Sequence, residues 1–239
     1  PYAWNQDQCQ TLWDDLVNFT IPNENYEKFN HKKDEYFLGS IVAFKESNKH
    51  EIIDGQQRLT TFMLILRAFH KEFKNRKDND GINIRKNIEK CIWKYDEFEN
   101  PLKDELKITS EVAGDDDKEE FLSILKNGNA PKEYKSQYAE NFRFFENKIQ
   151  EMQNYNPRNN EFIVNRLLKN CAVLFIEAET QDSALRIFST LNDRGLPLAD
   201  ADIFKSKFYK LYSDKNQKND FIKEWKKLEE ITEEIFNPQ

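Results

Sequence analysis

The 239-residue chain sets 36 Lys and Arg against 43 Asp and Glu, and the resulting charge of −7 argues against a histone-like or tail-like nucleic-acid binder, while leaving room for a local basic groove. Hydrophobic residues make up only 38% of the chain, yet 19 Phe, 9 Tyr and 4 Trp supply the buried area for a core. With 6 Gly and 7 Pro a turn-rich β-sandwich or barrel is disfavoured, and the length suits one helix-rich domain, or one domain with a large insertion.

Cys9, Leu12, Trp13 and Leu16 recur at helical spacing and predict an amphipathic helix over residues 7–18. Residues 36–44 and Glu51-Ile52-Ile53 are short β-rich runs separated by the polar stretch Lys45 to His50, a hairpin pattern. Asp54-Gly55-Gln56-Gln57-Arg58 follows at once. Leu59, Phe62, Met63, Leu66, Phe69, His70 and Phe73 then predict a helix over 57–74. The layout is strand, Gly-containing turn, helix.

Beyond a polar breaker at 75–81 the chain reads as mostly helical. Ile84, Ile88, Cys91, Ile92 and Tyr95 form one stripe. Asp115 to Asp117 opens a second helix, which Gly128 closes. Tyr138, Phe142, Phe145, Ile149 and Met152 form a third stripe. Leu106 to Thr109 reads as a short strand, Phe162 to Leu168 as a short helix, and Cys171 to Ile176 as a buried strand. Asp182 or Ser183 is expected to cap a helix containing Ala184, Leu185, Ile187 and Phe188. It leads to the turn Leu191-Asn192-Asp193-Arg194-Gly195 and a helix with Ile203, Phe204, Phe208 and Leu211 inward. Residues 213–239 read as a linker and a helix leading to an absent C-terminal domain.

Cys9, Cys91 and Cys171 are odd in number and far apart, as expected of free thiols in the cytoplasm rather than a disulfide framework. His31, His50 and His70 lack metal-ligand spacing. No apolar run approaches the roughly 18 residues of a membrane span, so no membrane partner is expected. The chain opens at Pro1 without Met or a signal-peptide pattern, which reads as a piece of a longer protein.

The 54–58 turn carries the sharpest chemistry. A helix N-terminus presents unpaired N–H groups and a positive dipole end, Gly55 admits close approach, and the Arg58 fork suits phosphate. Gln56 and Gln57 add neutral hydrogen-bonding groups. Asp54 would repel a bare phosphate, so its roles are metal or water positioning, or orienting Arg58. The alternative is a capped turn with Arg58 bridged to a carboxylate. Asn192 and Arg194, with Lys205 on the next helix, could hold a base, a ribose or a second phosphate. They could equally build a turn, with Lys205 paired to Asp202. Tyr2 and Trp4 could stack on a base or touch DNA, or simply pack in the core.

Three segments recur in family order: Tyr2-x-Trp4 leading to Leu12-Trp13-Asp14-Asp15-Leu16; Tyr36-Phe37-Leu38-Gly39-Ser40-Ile41 leading to Ile53-Asp54-Gly55-Gln56-Gln57-Arg58-Leu59-Thr60-Thr61; and Phe188-x-x-Leu191-Asn192-x-x-Gly195-x-x-Leu198 leading to Asp202-Ile203-x-Lys205. Together they resemble the N-terminal domain of GmrSD-type, modification-dependent restriction endonucleases, a branch of the ParB/sulfiredoxin-like superfamily. The resemblance covers residues 1–80 and 170–212. It implies an α+β fold with a small mixed β-sheet of ParB/sulfiredoxin-like type, a large, mostly helical insertion at 81–169, and flanking helices.

The same resemblance implies an NTP-binding and NTP-hydrolysing regulatory domain of a bacterial phage-defence system, working with NTP and Mg²⁺, with modified DNA and with a C-terminal nuclease domain. It places Asp54 and Arg58 in catalysis, Asp54 at the Mg²⁺, and Gly55, Gln56, Gln57, Arg58, Asn192, Arg194 and Lys205 at the nucleotide. The Ile-Pro-x-Tyr-Gln-Arg segment that usually precedes Tyr-x-Trp in the family is absent from a chain that begins at Pro1. The alternative function is a non-hydrolysing DNA- or partner-binding module, which would need Arg58, Arg67, Arg143, Arg166 and Arg194 on one face.

Overall fold

The computed structural model describes residues 2–109 and 117–192, together with 223, 224 and 227. Asn5 opens helix α1 (Gln6–Thr20) with a reciprocal cap: its side chain accepts from the Asp7 and Gln8 N–H groups, and Gln8 Oε1 accepts from the Asn5 N–H. Cys9, Leu12, Trp13 and Leu16 lie buried on one face, as their spacing predicts. Strands β1 (Tyr36–Glu46) and β2 (Lys49–Asp54) form the expected antiparallel hairpin, and both run further into the polar stretch than the sequence suggests. Helix α2 (Gln56–Glu72) follows after the single residue Gly55.

In its described residues the middle of the chain is helical, with one small hairpin. Helix α3 (Asn79–Ile92) is capped by Asp78, whose carboxylate accepts from the Gly81 N–H at 2.9 Å. It ends three residues before Tyr95, because Trp93–Tyr95 (β3) pairs with Pro101–Leu106 (β4). Tyr95 therefore belongs to a strand, and the strand expected at Leu106 to Thr109 lies earlier in the chain. The turn between them is tied by Asp96 Oδ1, which accepts from the Phe98 and Asn100 N–H groups. Helix α4 (Lys118–Asn127) stops at Gly128, which adopts φ +68°. Helix α5 (Gln137–Tyr155) buries Tyr138, Phe142, Phe145 and Ile149. Helix α6 (Pro157–Asn170) is longer than expected: the Asn156 side chain caps it, and Pro157 takes a first-turn position, where its missing N–H costs nothing.

Strand β5 (Cys171–Ala178) pairs parallel with β1, which gives a mixed three-stranded sheet of order β2-β1-β5. The expectation of a buried strand is corrected here. Among the described residues β5 lies at the sheet edge with only β1 beside it, and Val173, Leu174 and Phe175 are each about half exposed. Helix α7 (Gln181–Asn192) covers only part of one face, packing Ala184 and Ile187 against Val42, Phe44, Ile53, Ile176 and Ala178. Its cap is Thr180 rather than Asp182 or Ser183, with Thr180 Oγ1 accepting from the Ser183 N–H at 3.2 Å.

The main core is continuous from α1 through α6 and crosses the expected boundary at residue 80 without a break. α2 runs through its middle, and the ten residues Thr61 to His70 are all buried. Such all-round burial marks a central helix rather than a surface one. The class is α+β, a small mixed sheet with flanking helices, as the sequence predicts. The thiols of Cys9, Cys91 and Cys171 are free; burial pushes Cys9 up to about 11 and Cys171 up to about 12, which disfavours their thiolates.

Candidate functional site

The junction of β2 and α2 leaves no room for a side chain at its pivot. Gly55 adopts φ +91°, and a Cβ there would stand 3.0 Å from Ile41 Cγ1 and 3.1 Å from the Ser40 carbonyl of the neighbouring strand. A residue other than glycine would meet both backbone strain and β1. Gly55 has no side chain to cap the helix, and its carbonyl accepts the Leu59 N–H at 2.9 Å. The positive end of α2 thus opens beside Asp54.

Arg58 returns across this junction to β1. Its Nη1 donates to the Leu38 carbonyl at 2.7 Å, and its Nη2 lies 3.4 Å from Asp54 Oδ2. The guanidinium rests against Gly39, which has φ +106° and sits where the β1–β5 register shifts between Phe37 and Ser40. The ion pair is not sealed in the core: the Arg58 and Asp54 side chains remain 28% and 27% exposed. One guanidinium nitrogen is firmly anchored, and the other is held at a loose distance.

The two glutamines are engaged with backbone. Gln56 Nε2 donates to the Ile52 carbonyl at 2.5 Å. Gln57 Oε1 accepts from the Ala3 N–H at 2.8 Å and the Trp4 N–H at 3.3 Å, which ties the N-terminal segment to the first turn of α2. From the other side Asn141 of α5, fully buried, donates through Nδ2 to the Trp4 carbonyl at 2.6 Å and to the Tyr2 hydroxyl at 3.0 Å. Tyr2 lies 2.7 Å from Thr61 Oγ1, Thr61 donates to the Gln57 carbonyl at 2.8 Å, and the Tyr2 ring stacks on Tyr138 with centroids 4.8 Å apart. Burial pushes the Tyr2 phenol well above its usual range. Tyr2 is therefore committed to packing, the second of its two sequence readings, whereas Trp4 is partly buried against the same core and also borders an open space.

That space is a solvent-open cleft of about 310 Å³ lined by Trp4, Ile53, Asp54, Gly55, Gln56, Gln57 and Arg58. It gathers the whole predicted pentapeptide and one of the two predicted aromatics. Asn192 ends α7, while Arg194 and Lys205 lie outside the described residues. Asp54 is the one carboxylate among the lining residues, and no group of three or more His, Cys, Asp or Glu among the described residues is placed to hold a metal ion. A Mg²⁺ here would rest on Asp54 and on oxygens that arrive with a ligand, a common arrangement for this ion.

The arginine face required by the alternative function does not form from the described members of the set. Arg67 is buried, with Nε donating to the Leu125 carbonyl at 2.7 Å and Nη1 meeting His70 Nδ1 at 2.9 Å. Arg143 donates to the carbonyls of Ala130, Pro131 and Tyr134. Arg166 is buried against Phe29 and Phe162 and donates to the carbonyls of Thr20 and Tyr26. These three satisfy loop and helix-end carbonyls, a demand that charge counting does not reveal.

Sequence reasoning missed two residues. Gly39 was legible in principle, since an isolated glycine inside a strand pattern marks a bulge or a close approach. Asn141 was marked only by being polar on the apolar face of α5. No described helix is long and apolar enough to cross a membrane. A protein-family model described as GmrSD restriction endonuclease, N-terminal domain, matches residues 1–209. No curated protein matches the chain.

Proposed function

The chain belongs to the GmrSD restriction endonuclease N-terminal domain family, and on that premise we propose that it is an NTP-binding and NTP-hydrolysing regulatory domain of a bacterial anti-phage, modification-dependent DNA restriction system. The observation that carries this reading is the open cleft at the start of α2 with Arg58 anchored beside it. Triphosphate oxygens would meet the positive helix end and the Arg58 Nη2 edge, while the Leu38 carbonyl keeps Nη1 in place. An arriving phosphate competes with Asp54 for Nη2, and the 3.4 Å separation makes that exchange inexpensive.

Once released, the Asp54 carboxylate could orient an attacking water, and it is the side chain that would hold a Mg²⁺ ion. The metal would supply charge neutralisation on the phosphate oxygens. Gln56 and Gln57 line the site without adding charge, and Trp4 offers a flat apolar surface to the base. Asn192, Arg194 and Lys205 would contact the nucleotide from its second side. The coupled partners are DNA and a C-terminal nuclease domain, reached by a shift in a conformational equilibrium.

The test is a thermal-shift titration of the four NTPs with Mg²⁺ on wild type and Arg58→Ala. A stabilisation that appears in wild type and disappears in the variant supports the reading. Equal shifts in both proteins count against it. A DNA-shift assay over a salt series, showing steep salt-dependent binding without nucleotide, would favour a pure binding module.

A further inference from the structure

The N-terminal segment is clamped from both sides at the point where it lines the cleft. From α2, Gln57 Oε1 takes the Ala3 and Trp4 N–H groups. From α5, Asn141 Nδ2 reaches the Trp4 carbonyl at 2.6 Å and the Tyr2 hydroxyl at 3.0 Å. Asn141 is fully buried and is itself oriented by Gln137, whose Nε2 donates to Asn141 Oδ1 at 3.3 Å. Because Asn141 donates to Tyr2 and Thr61 donates to the Gln57 carbonyl, the Tyr2 hydroxyl proton points to Thr61 Oγ1. The result is one directed chain, Asn141 to Tyr2 to Thr61 to Gln57, running from the middle of the helical body to the first turn of α2. A stack of rings parallels it, Tyr2 on Tyr138 and Tyr138 on Phe121, each with centroids 4.8 Å apart. Polar chains of this kind are rigid when every member is satisfied.

We propose that Asn141 is a positioning residue that fixes Trp4 as the base-stacking wall of the cleft, so that the helical body sets the site's grip on the nucleobase without touching it. The inference rests on the nucleotide reading above and goes beyond it by dividing the labour. Arg58 and the α2 terminus hold phosphate, whereas the Asn141 clamp governs the base end alone. Removing the Nδ2 donors takes away the Trp4 carbonyl's bond to Asn141 and frees the segment on that side, while the Arg58 anchor on the Leu38 carbonyl lies outside the chain of bonds that Asn141 starts.

The experiment is calorimetric titration of the four NTPs and of inorganic tripolyphosphate, each with Mg²⁺, into wild type, Asn141→Asp, Asn141→Ala and Trp4→Ala. The Asn141 variants are expected to bind NTP about five-fold or more weakly, the value of a lost base–aromatic stack, with tripolyphosphate affinity unchanged. Trp4→Ala is expected to show the same split. Tyr2→Phe breaks the same chain at a half-buried ring and should move in the same direction, so a folding failure at Asn141 leaves the proposal testable. NTP affinity unchanged in these variants, or NTP and tripolyphosphate affinities falling together, would overturn it. Wild type binding tripolyphosphate as tightly as NTP would overturn it too, since the base would then contribute nothing. Should wild type bind neither probe, the nucleotide reading fails by itself. The clamp is then judged by acrylamide quenching of the Trp4 fluorescence, taken as the difference from Trp4→Phe: increased quenching in Asn141→Ala supports the positioning role, and unchanged quenching overturns it.

Discussion

The Arg58 guanidinium occupies the space in which a side chain on Gly39 would stand. A Cβ built on Gly39 overlaps Nη1 and lies 2.8 Å from Cζ. The strand residue and the helix residue are thus one device: the bulge in β1 opens a slot, and the arginine fills it to reach the Leu38 carbonyl. Gly39→Ala is expected to expel the guanidinium and to strain a backbone at φ +106°, at a cost of about 1–3 kcal/mol. Urea unfolding measures the cost. A nucleotide thermal shift lost to the same extent as in Arg58→Ala checks the linkage, and a Gly39→Ala protein that keeps its full shift would refute it.

A second glycine faces a second arginine. Gly128, at φ +68°, closes α4, and a Cβ there would approach Arg67 Nη1 to 2.6 Å. Gly128→Ala should destabilise the fold by about 1–3 kcal/mol through the same combination of backbone strain and displaced guanidinium. Because both residues serve one contact, Gly128→Ala and Arg67→Met are expected to be less than additive in a double-mutant cycle. Strict additivity would show that they act independently.

The buried polar cluster beneath α4 gives the protein an acid limit. His70 receives a hydrogen bond from Arg67 at Nδ1, so its proton sits on Nε2, which donates to Glu89 at 3.1 Å. Burial, together with the nearby charges of Arg67 and Lys103, pushes His70 below its ordinary value of 6.5, with the Glu89 carboxylate opposing them. A depressed histidine favours the folded state fully above pH 6.5. That contribution is lost as the pH falls below it, because the unfolded chain then binds the extra proton. Unfolding free energy should therefore fall between pH 7 and pH 5, by up to about 1.4 kcal/mol per unit from this group. His70→Gln should show a shallower slope, and an identical slope would remove His70 as the cause.

The two apolar surfaces of the chain should answer mutation differently. Phe142 is fully buried in the helical core, and Phe142→Ala is expected to cost about 3–5 kcal/mol. Val173 is 48% exposed on the edge strand, and Val173→Thr should stay within about 0.5 kcal/mol. Denaturant midpoints of the two variants decide the matter. A Val173→Thr protein as unstable as Phe142→Ala would mean that the β5 face is covered in solution.

Local pattern made α1 and α5 legible, because the spacing of their apolar residues matches the face that is buried; it also placed the hairpin and α2, although α2 is buried on all sides from Thr61 to His70. The Asp54 to Arg58 turn was legible as a strand-to-helix junction because glycine between a strand and a long helix restricts what the junction can be. The exposure of β5 was not legible: a run of six apolar residues has the same composition at a sheet edge as at a sheet centre, and only the pairing order separates the two. Nor were the roles of three arginines, of which Arg67 and Arg166 are buried and Arg143 is partly buried. Arg67, Arg143 and Arg166 answer carbonyls at helix ends and loops that are distant in sequence, and their charge suggested a surface. Asn141 lies far along the chain from the segment it holds, so no local signal joins it to Trp4.

The parallel pairing of β1 with β5 has a consequence for biosynthesis. The β1–β2 hairpin leaves the ribosome early, but its third strand follows only after α3 to α6 have been made. Until then β1 carries an open edge, and the Leu38 and Gly39 bulge that seats Arg58 lacks the neighbour against which it is defined. Closure of so long a loop is intrinsically slow, and unpaired edges of this kind invite wrong pairing in the meantime. The nascent chain therefore acquires its helical scaffold before the strand edge beside Arg58 takes final shape.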